Sequence, residues 1–389
     1  MKTHYHRATL TGLLALLVCA PQAKADGILA VDNPANNGLT RSVYADALAF
    51  EGNDSVAMRQ YTGKWQGDYT PYSGDNLGLL FARAETGAQW NGFRLGALYR
   101  AEAIVKASPD TSDLVWQYHN SSGYDTGRTY QVNYRIESFE ANGARLSKSF
   151  QSALGNAWQL SWGAGMSLLN GKQIKVETMT GQVVTLSSTD FNADVIQNST
   201  YSGLDTSGAG KFNPPFGMRP SVSGQGYALD LGLTLRRQDG LRLEAAVNDL
   251  AASIRWKNLP NYAANYNSAT KYFDTSGYVH FNPTATAQSS YQDLTQTLDP
   301  KLWLAAAYPV AGFEAQLATS YTQGEWFPEM GLAYAINPQW RINTSYDTRF
   351  GTVQIGLHHT WFDLSLRSDK LALNQAKAYG LSASVHIAF

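Results

Sequence analysis

The chain has 389 residues, 30 basic against 31 acidic, and only 16% of it is charged, where globular proteins carry about 25%. Tyr 22, Trp 10, Phe 15 and Gly 34 fill the deficit, and 44% of residues are apolar. That balance excludes a disordered chain, since there is ample apolar surface to bury, and it gives no basic excess for a nucleic-acid partner.

At the N-terminus Lys2 and Arg7 precede an apolar stretch from Leu10 to Ala20, too short to span a bilayer, and Ala23-Lys24-Ala25 has the small-x-small form of a signal-peptidase site. The expectation is a signal peptide over 1–25, cleaved after Ala25. Lipoprotein processing at Cys19 is disfavoured because Val18, rather than a small residue, precedes it. Cleavage also removes the single cysteine, so the exported chain has no disulfide to rely on. Beyond Ala25 no run of about 18 apolar residues exists, which excludes a helical membrane protein.

Residues 26–55 mix small, polar and apolar side chains without sustained alternation, around Asn33-Pro34-Ala35 and the helix-compatible run Val43 to Phe50. They read as a periplasmic or plug-like segment, with a disordered tail as the plainer alternative. A first strand is expected at Val56 to Trp65. Downstream, apolar and polar residues alternate strictly. Phe93, Leu95, Ala97, Tyr99, Ala101, Ala103 and Val105 do so, as do Trp158, Leu160, Trp162, Ala164, Met166 and Leu168, and Tyr227, Leu229, Leu231, Leu233 and Leu235. Arg128 to Gln151 is expected to be one long strand kinked at Asn142-Gly143. Runs of about 10 to 14 residues suit tilted transmembrane strands better than soluble ones, which average about 5 to 6. Aromatics at the run ends, among them Trp90, Trp158, Tyr308, Phe313, Trp340, Trp361 and Phe362, sit where interfacial girdles belong.

Tight connections occur at Asn91-Gly92, Ala153 to Ala157, Gln238 to Gly240, Pro309 to Gly312, Asn337-Pro338 and Thr360-Trp361, and the others are mostly longer. Short turns on one side and long loops on the other define the fold class: all-β, a closed antiparallel transmembrane β-barrel over 56–389. It has about fourteen strands, with twelve to sixteen open, an N-terminal plug-like segment, and two long external loops at 170–224 and 255–299. Tyr379, Leu381, Val385, Ile387 and Phe389 form the apolar face of a last alternating strand. It resembles the C-terminal recognition strand of Gram-negative outer-membrane barrels, and those residues are read as the C-terminal assembly signal. The expected location is the cell outer membrane after export, with outer-membrane lipid and the β-barrel assembly machinery as partners, and no nucleic acid.

Gly224-Gln225-Gly226-Tyr227-Ala228-Leu229-Asp230-Leu231-Gly232-Leu233, with Val247-Asn248-Asp249-Leu250 and Trp162 to Leu168, resembles the long-chain fatty-acid transporter superfamily, within it the TraF-like and PorV-like branch. The resemblance implies fourteen strands and an N-terminal plug. No substrate-binding residue carries over.

Parity places Arg94, Arg100, Glu102, Lys106, Arg135, Glu137, Asp230, Arg236, Arg242, Glu244, Glu314, Arg341, Asp363 and Arg367 on the lumen face. Mixed charge lines an aqueous path or holds a plug, but a barrel interior is wet or ion-paired whatever the barrel does. The near balance of signs argues against a strongly ion-selective pore. Tyr262, Tyr266, Tyr272, Phe273, Tyr278, Phe281 and Tyr291 crowd the second long loop. They either capture a ligand at the mouth or form a small core that folds the loop inward. His358-His359 beside Asp363 and Ser365 is the one cluster that invites a hydrolase reading, yet adjacent strand residues face opposite ways. Without a nucleophile-elbow, zinc-helix or paired-cysteine motif, neither an enzyme nor any cofactor or metal is expected. Two functions follow: a channel for a small hydrophobic or amphipathic molecule, or a non-transporting barrel serving as scaffold or accessory to a secretion, conjugation or surface-assembly system.

Overall fold

Strict alternation sends every second side chain to the same face, and a sheet built that way can close with one face in lipid and the other around a lumen. The fold, obtained as a computed structural model, describes residues 27–60, 69–70, 72–120, 123–202, 222–268, 270–273, 275–276, 278–281 and 284–389. The first strands in chain order are β1 (Ser42–Asn53), β2 (Asn76–Trp90), β3 (Phe93–Ala107), β4 (Thr129–Leu154), β5 (Trp158–Thr185) and β6 (Phe191–Tyr201). Then come β7 (Ser223–Arg237), β8 (Arg242–Asn267), β9 (Lys271–Phe273), β10 (Val279–Phe281), β11 (Ala285–Thr297) and β12 (Lys301–Val310). Last are β13 (Phe313–Thr322), β14 (Glu325–Ala335), β15 (Trp340–Asp347), β16 (Val353–His359), β17 (Phe362–Ser368) and β18 (Ala378–Ala388).

Fourteen of these form a closed antiparallel barrel: β1 to β5, β7, β8 and β12 to β18. The ring closes where β1 pairs with β18, from Ser42 opposite Ala388 to Gly52 opposite Ala378. Tight turns gather at one end, where Asn91 and Gly92, Gly155, Gly240, and Ala311 and Gly312 adopt positive φ. Such turns suit the twist of an antiparallel hairpin, and glycine reaches that φ without a Cβ penalty. The opposite end carries the longer connections, one of which holds helix α1 (Pro109–Asn120). The wall is uneven. β12 to β18 have 7 to 11 residues, whereas β4, β5 and β8 have 26, 28 and 26 and rise past the long-connection end.

Several sequence expectations need correction. Ser42–Asn53 is barrel strand β1 rather than plug, and the strand expected at Val56 to Trp65 is replaced, where described, by a 3-10 turn at Met58–Gln60. β1 reads poorly because its outward residues are the small Val43, Ala45, Ala47 and Ala49, while its large Tyr44, Leu48 and Phe50 point inward. Where described, the two long external segments are largely strand: β5 runs on to Thr185 and pairs with β6, and β8 runs on to Asn267 between β6 and β11. In place of a kink at Asn142-Gly143, β4 pairs without a break with β3, and the register shift opposite Glu140 and Ala141 comes from one extra residue, Lys172, in β5. The signal peptide with its Ala25 cleavage site lies outside the described residues.

Outward faces are apolar and exposed: Leu229, Leu231 and Leu233 on β7, Trp162, Met166 and Leu168 on β5, and Leu364 and Leu366 on β17. Aromatics ring the short-turn end, with Phe150 stacked on Trp162 at 4.3 Å and Trp90 on Phe93 at 5.8 Å. On β18 the outward register holds Tyr379, Leu381, Val385 and Ile387, and the exposed Phe389 donates its N–H to the Arg41 carbonyl. That makes the exterior a continuous apolar band of the kind a bilayer covers.

Candidate functional site: the barrel lumen

Residues 27–40 do not hang free. They run inside the ring, with Ile28, Leu29, Ala30, Val31 and Ala35 buried. A 3-10 turn at Pro34–Asn36 is capped by Asn33, whose side chain accepts from the Ala35 N–H, as short polar caps do. Glycines make the room: a Cβ on Gly163 would lie 2.4 Å from the Pro34 carbonyl oxygen, and one on Gly232 would lie 2.0 Å from the Asn33 amide oxygen. Below the turn, Asn91 and Gly92 donate their N–H groups to the Leu39 and Gly38 carbonyls.

Polar contacts tie this segment to the wall. The Asp32 carboxylate lies 2.6 Å from the Arg145 guanidinium of β4, and the Asp32 N–H donates to Asn248 Oδ1 at 2.7 Å. Asn33 donates to Thr234, Asn36 to Glu244 at 2.9 Å, and Asn37 to Ser147 at 2.9 Å. The wall offers a connected set of charges here. Arg145 also reaches Asp230 at 3.1 Å, and Glu85 gathers Tyr44, Arg83 and Arg94, the last of which also pairs with Asp46. Alongside, Asp249 holds Arg100 at 2.6 Å and Lys301 at 2.7 Å, and both cations share Glu102. Asp249 points inward because β8 bulges: Leu229 faces Ala251 while Leu231 faces Val247, and Asp249 takes φ 59. Breaking a buried pair of this kind costs about 3–5 kcal/mol, because one charge is left uncompensated.

Toward the long-connection end the filling turns apolar. Ile28 to Val31 pack with Leu48, Phe50, Leu77, Leu79, Phe81, Ile104, Trp303 and Phe327. Beside the segment, toward the short-turn end, remains a polar cavity of about 360 Å³, within the size range of small-molecule sites. Its lining includes Asp46, Arg242, Arg341, Asn343, His358 and Asp363. Glu314 bridges Arg242 and Arg341 at 3.2 Å each, and Asp363 pairs with His358 and accepts from Ser384 at 3.1 Å.

The lumen-facing register carries Arg94, Arg100, Glu102, Asp230, Arg236, Arg242, Glu244, Glu314, Arg341, Asp363 and Arg367. Arg94, Arg100, Asp230 and Arg367 are buried, whereas Arg236 is exposed at the short-turn rim. Arg367 meets Glu329 at 2.9 Å. Arg135 and Glu137 stand above the ring, paired with each other and well exposed on the Arg135 side. His358 faces the cavity, while His359 faces outward between Trp340 and Phe362. Of the external aromatics, Tyr262 and Tyr266 lie on β8, Tyr291 on β11 and Tyr272, Phe273 and Phe281 on β9 and β10, while Tyr278 is exposed. Sequence parity missed the buried charges Glu85, Arg145, Asp249 and Lys301, although Arg145 shares parity with inward Ser147 next to the apolar Leu146.

A family model described as "Family of unknown function (DUF5723)" matches residues 72–366. No curated protein matches the chain. Among solved structures, the chain is similar to the P. putida toluene transporter TodX, at 12% identity over 92% of this chain and 91% of that one, with a TM-score of 0.43. It is also similar to a TodX deltaS2 mutant described as a monoaromatic hydrocarbon channel (13% identity, 92% and 93% covered, TM-score 0.44). A third similar structure is a Pseudomonas aeruginosa FadL homologue (11% identity, 91% and 92% covered, TM-score 0.24).

Proposed function

We propose that this chain, which belongs to the DUF5723 family of unknown function, is an outer-membrane channel that admits a small amphipathic molecule when residues 27–40 shift within the lumen. The observation that carries this reading is the position of that segment. It fills one half of the ring and leaves a polar cavity of about 360 Å³ beside the other half. A solute coming from the long-connection end would meet the apolar zone of Phe50, Phe81, Trp303 and Phe327 first and the polar cavity afterwards. That order suits a molecule with both characters. The exposed apolar band around fourteen strands supports a bilayer setting, and the asymmetry of turns supports a periplasmic short-turn end.

The test is conductance and solute entry. The mature protein and a variant lacking residues 27–40 would be reconstituted in planar bilayers and in vesicles loaded for swelling assays. The variant should conduct several-fold more and admit solutes faster, while both run as heat-modifiable barrels on gels. Equal conductance from two properly assembled barrels would remove the segment from any gating role and favour the scaffold alternative.

A further inference from the structure

Charge is scarce on the outward face of the barrel, and where it occurs it is mostly paired. Glu51 accepts from Tyr379 at 2.8 Å, Lys175 pairs with Glu177 at 2.6 Å, and Lys148 covers the Phe93 ring at the short-turn end. One sector differs. Lys172 on β5 and Arg255 and Lys257 on β8 are exposed, and none makes an ion pair with a described residue.

The register brings the three together. On the outward face Leu168 lies opposite Tyr227 and Tyr227 opposite Ser253, which marks the upper edge of the apolar band. One rung higher, Asn170 faces Gln225 and Gln225 faces Arg255, and one rung above that Ser223 faces Lys257. Arg255 and Lys257 share a face two residues apart, about 7 Å along the strand, and β5 lies two strand spacings away, about 10 Å. Lys172 joins them because of the register shift between β4 and β5. Gly171 opposes Ala141 and Gln173 opposes Glu140, so Lys172 has no cross-strand partner, and Lys172 and Gln173 are both exposed between buried Gly171 and Ile174. A bulge re-aims side chains in this way.

We propose that Lys172, Arg255 and Lys257 form a binding site for the phosphate groups of an acylated, phosphorylated glycolipid of the surrounding leaflet. Its chains would lie along Trp162, Met166, Leu168, Tyr227 and Leu229. Cations just above an exposed apolar strip match a ligand with phosphate heads and hydrocarbon tails, and Arg adds fork-like hydrogen bonds that a lysine lacks. A free anion would have no use for the apolar strip. The site rests on the outer-membrane reading, which puts the long-connection end in the outer leaflet, but it requires no passage through the lumen.

Native mass spectrometry of the full mature protein in detergent would test it, with diphosphoryl lipid A, its monophosphoryl form and inorganic phosphate as probes. The unaltered protein should retain diphosphoryl lipid A more strongly than monophosphoryl, and millimolar phosphate should not displace it. The triple variant Lys172→Gln, Arg255→Gln, Lys257→Gln should bind it at least tenfold more weakly, while Lys148→Gln at the other rim should bind it normally. Heat-modifiability would verify that each variant is folded, and its bilayer conductance should be unchanged, which separates this test from that of the channel. Equal retention by the triple variant, equal loss in Lys148→Gln, or displacement by inorganic phosphate would overturn the proposal.

Discussion

Arg145 and Asp32 meet 2.6 Å apart inside the ring, and this contact joins the segment ahead of β1 to the wall strand β4. Arg145 has further acidic neighbours in Asp230 and Glu85, whereas Arg145 is the only cation bonded to Asp32 among the described residues. The two partners should therefore respond differently to substitution. Asp32→Asn should loosen residues 27–40 and raise conductance, at a cost of about 1–3 kcal/mol. Arg145→Met strands the carboxylates of Asp32 and Asp230 and should cost about 3–5 kcal/mol. Unfolding by urea in lipid vesicles, together with bilayer conductance, would check both, and equal stability losses would contradict the asymmetry.

The glycines under the 3-10 turn make a second prediction. Gly163→Ala and Gly232→Ala each place a methyl group against Pro34 or Asn33, and overpacking of that sort costs about 1–3 kcal/mol. The strain should displace residues 27–40 rather than unfold the ring, because those residues pair with no barrel strand. A maleimide should label Ala35→Cys slowly in the parent and much faster with either glycine substitution, in a chain expressed without residues 1–25 and therefore without Cys19.

Protonation gives a third. Asp54, in the connection after β1, accepts from Arg349 at 2.8 Å and from the Leu77 N–H. Burial pushes its carboxyl up to about 6, although Arg349 opposes the rise. The folded state then holds this proton more tightly than the unfolded chain, whose ordinary value is 3.8. Stability contributed here is thus lost as pH rises from the lower value through the upper one. The difference between the parent and Asp54→Asn should change by at most about 3 kcal/mol across that window and flatten above it. Matched pH profiles of unfolding would show this, and parallel profiles would contradict it.

Topology supplies a fourth. An epitope placed at Asp239, in a tight turn, should be shielded in intact cells, whereas one at Ser276, between β9 and β10, should be reached from outside. Antibody binding with and without permeabilisation would decide it, and exposure at Asp239 would invert the orientation.

Much of the ring was legible because outward Leu, Trp and Tyr alternate with inward Gly, Ser and charge on β5, β7 and β18. The legibility failed where the polarity of the two faces is reversed. In β1 and β2 the bulky Phe50, Leu77, Leu79 and Phe81 point into the lumen, against residues 28–31, and small alanines face outward. A sequence reader sees there an irregular segment, because the apolar side no longer marks the lipid. Bulges hid the rest: Lys172 is aimed by one extra residue in β5 against β4 and Asp249 by two extra residues in β8 against β7, and no local periodicity reports the partner's register.

The seam between β1 and β18 bears on how such a molecule is made. Ser42 pairs with Ala388 across nearly the whole length of the chain, so the last ladder to form closes the longest loop the sequence allows. The segment that ends at Arg41 leads directly into that ladder and lies inside the finished ring. It must already be within the curling sheet when the seam zips, or else be threaded in afterwards along the axis. Its wall contacts to β4, β7 and β8 can form beforehand, since none of those strands belongs to the seam. The N-terminal segment would then act in biogenesis as a mandrel around which the sheet curls.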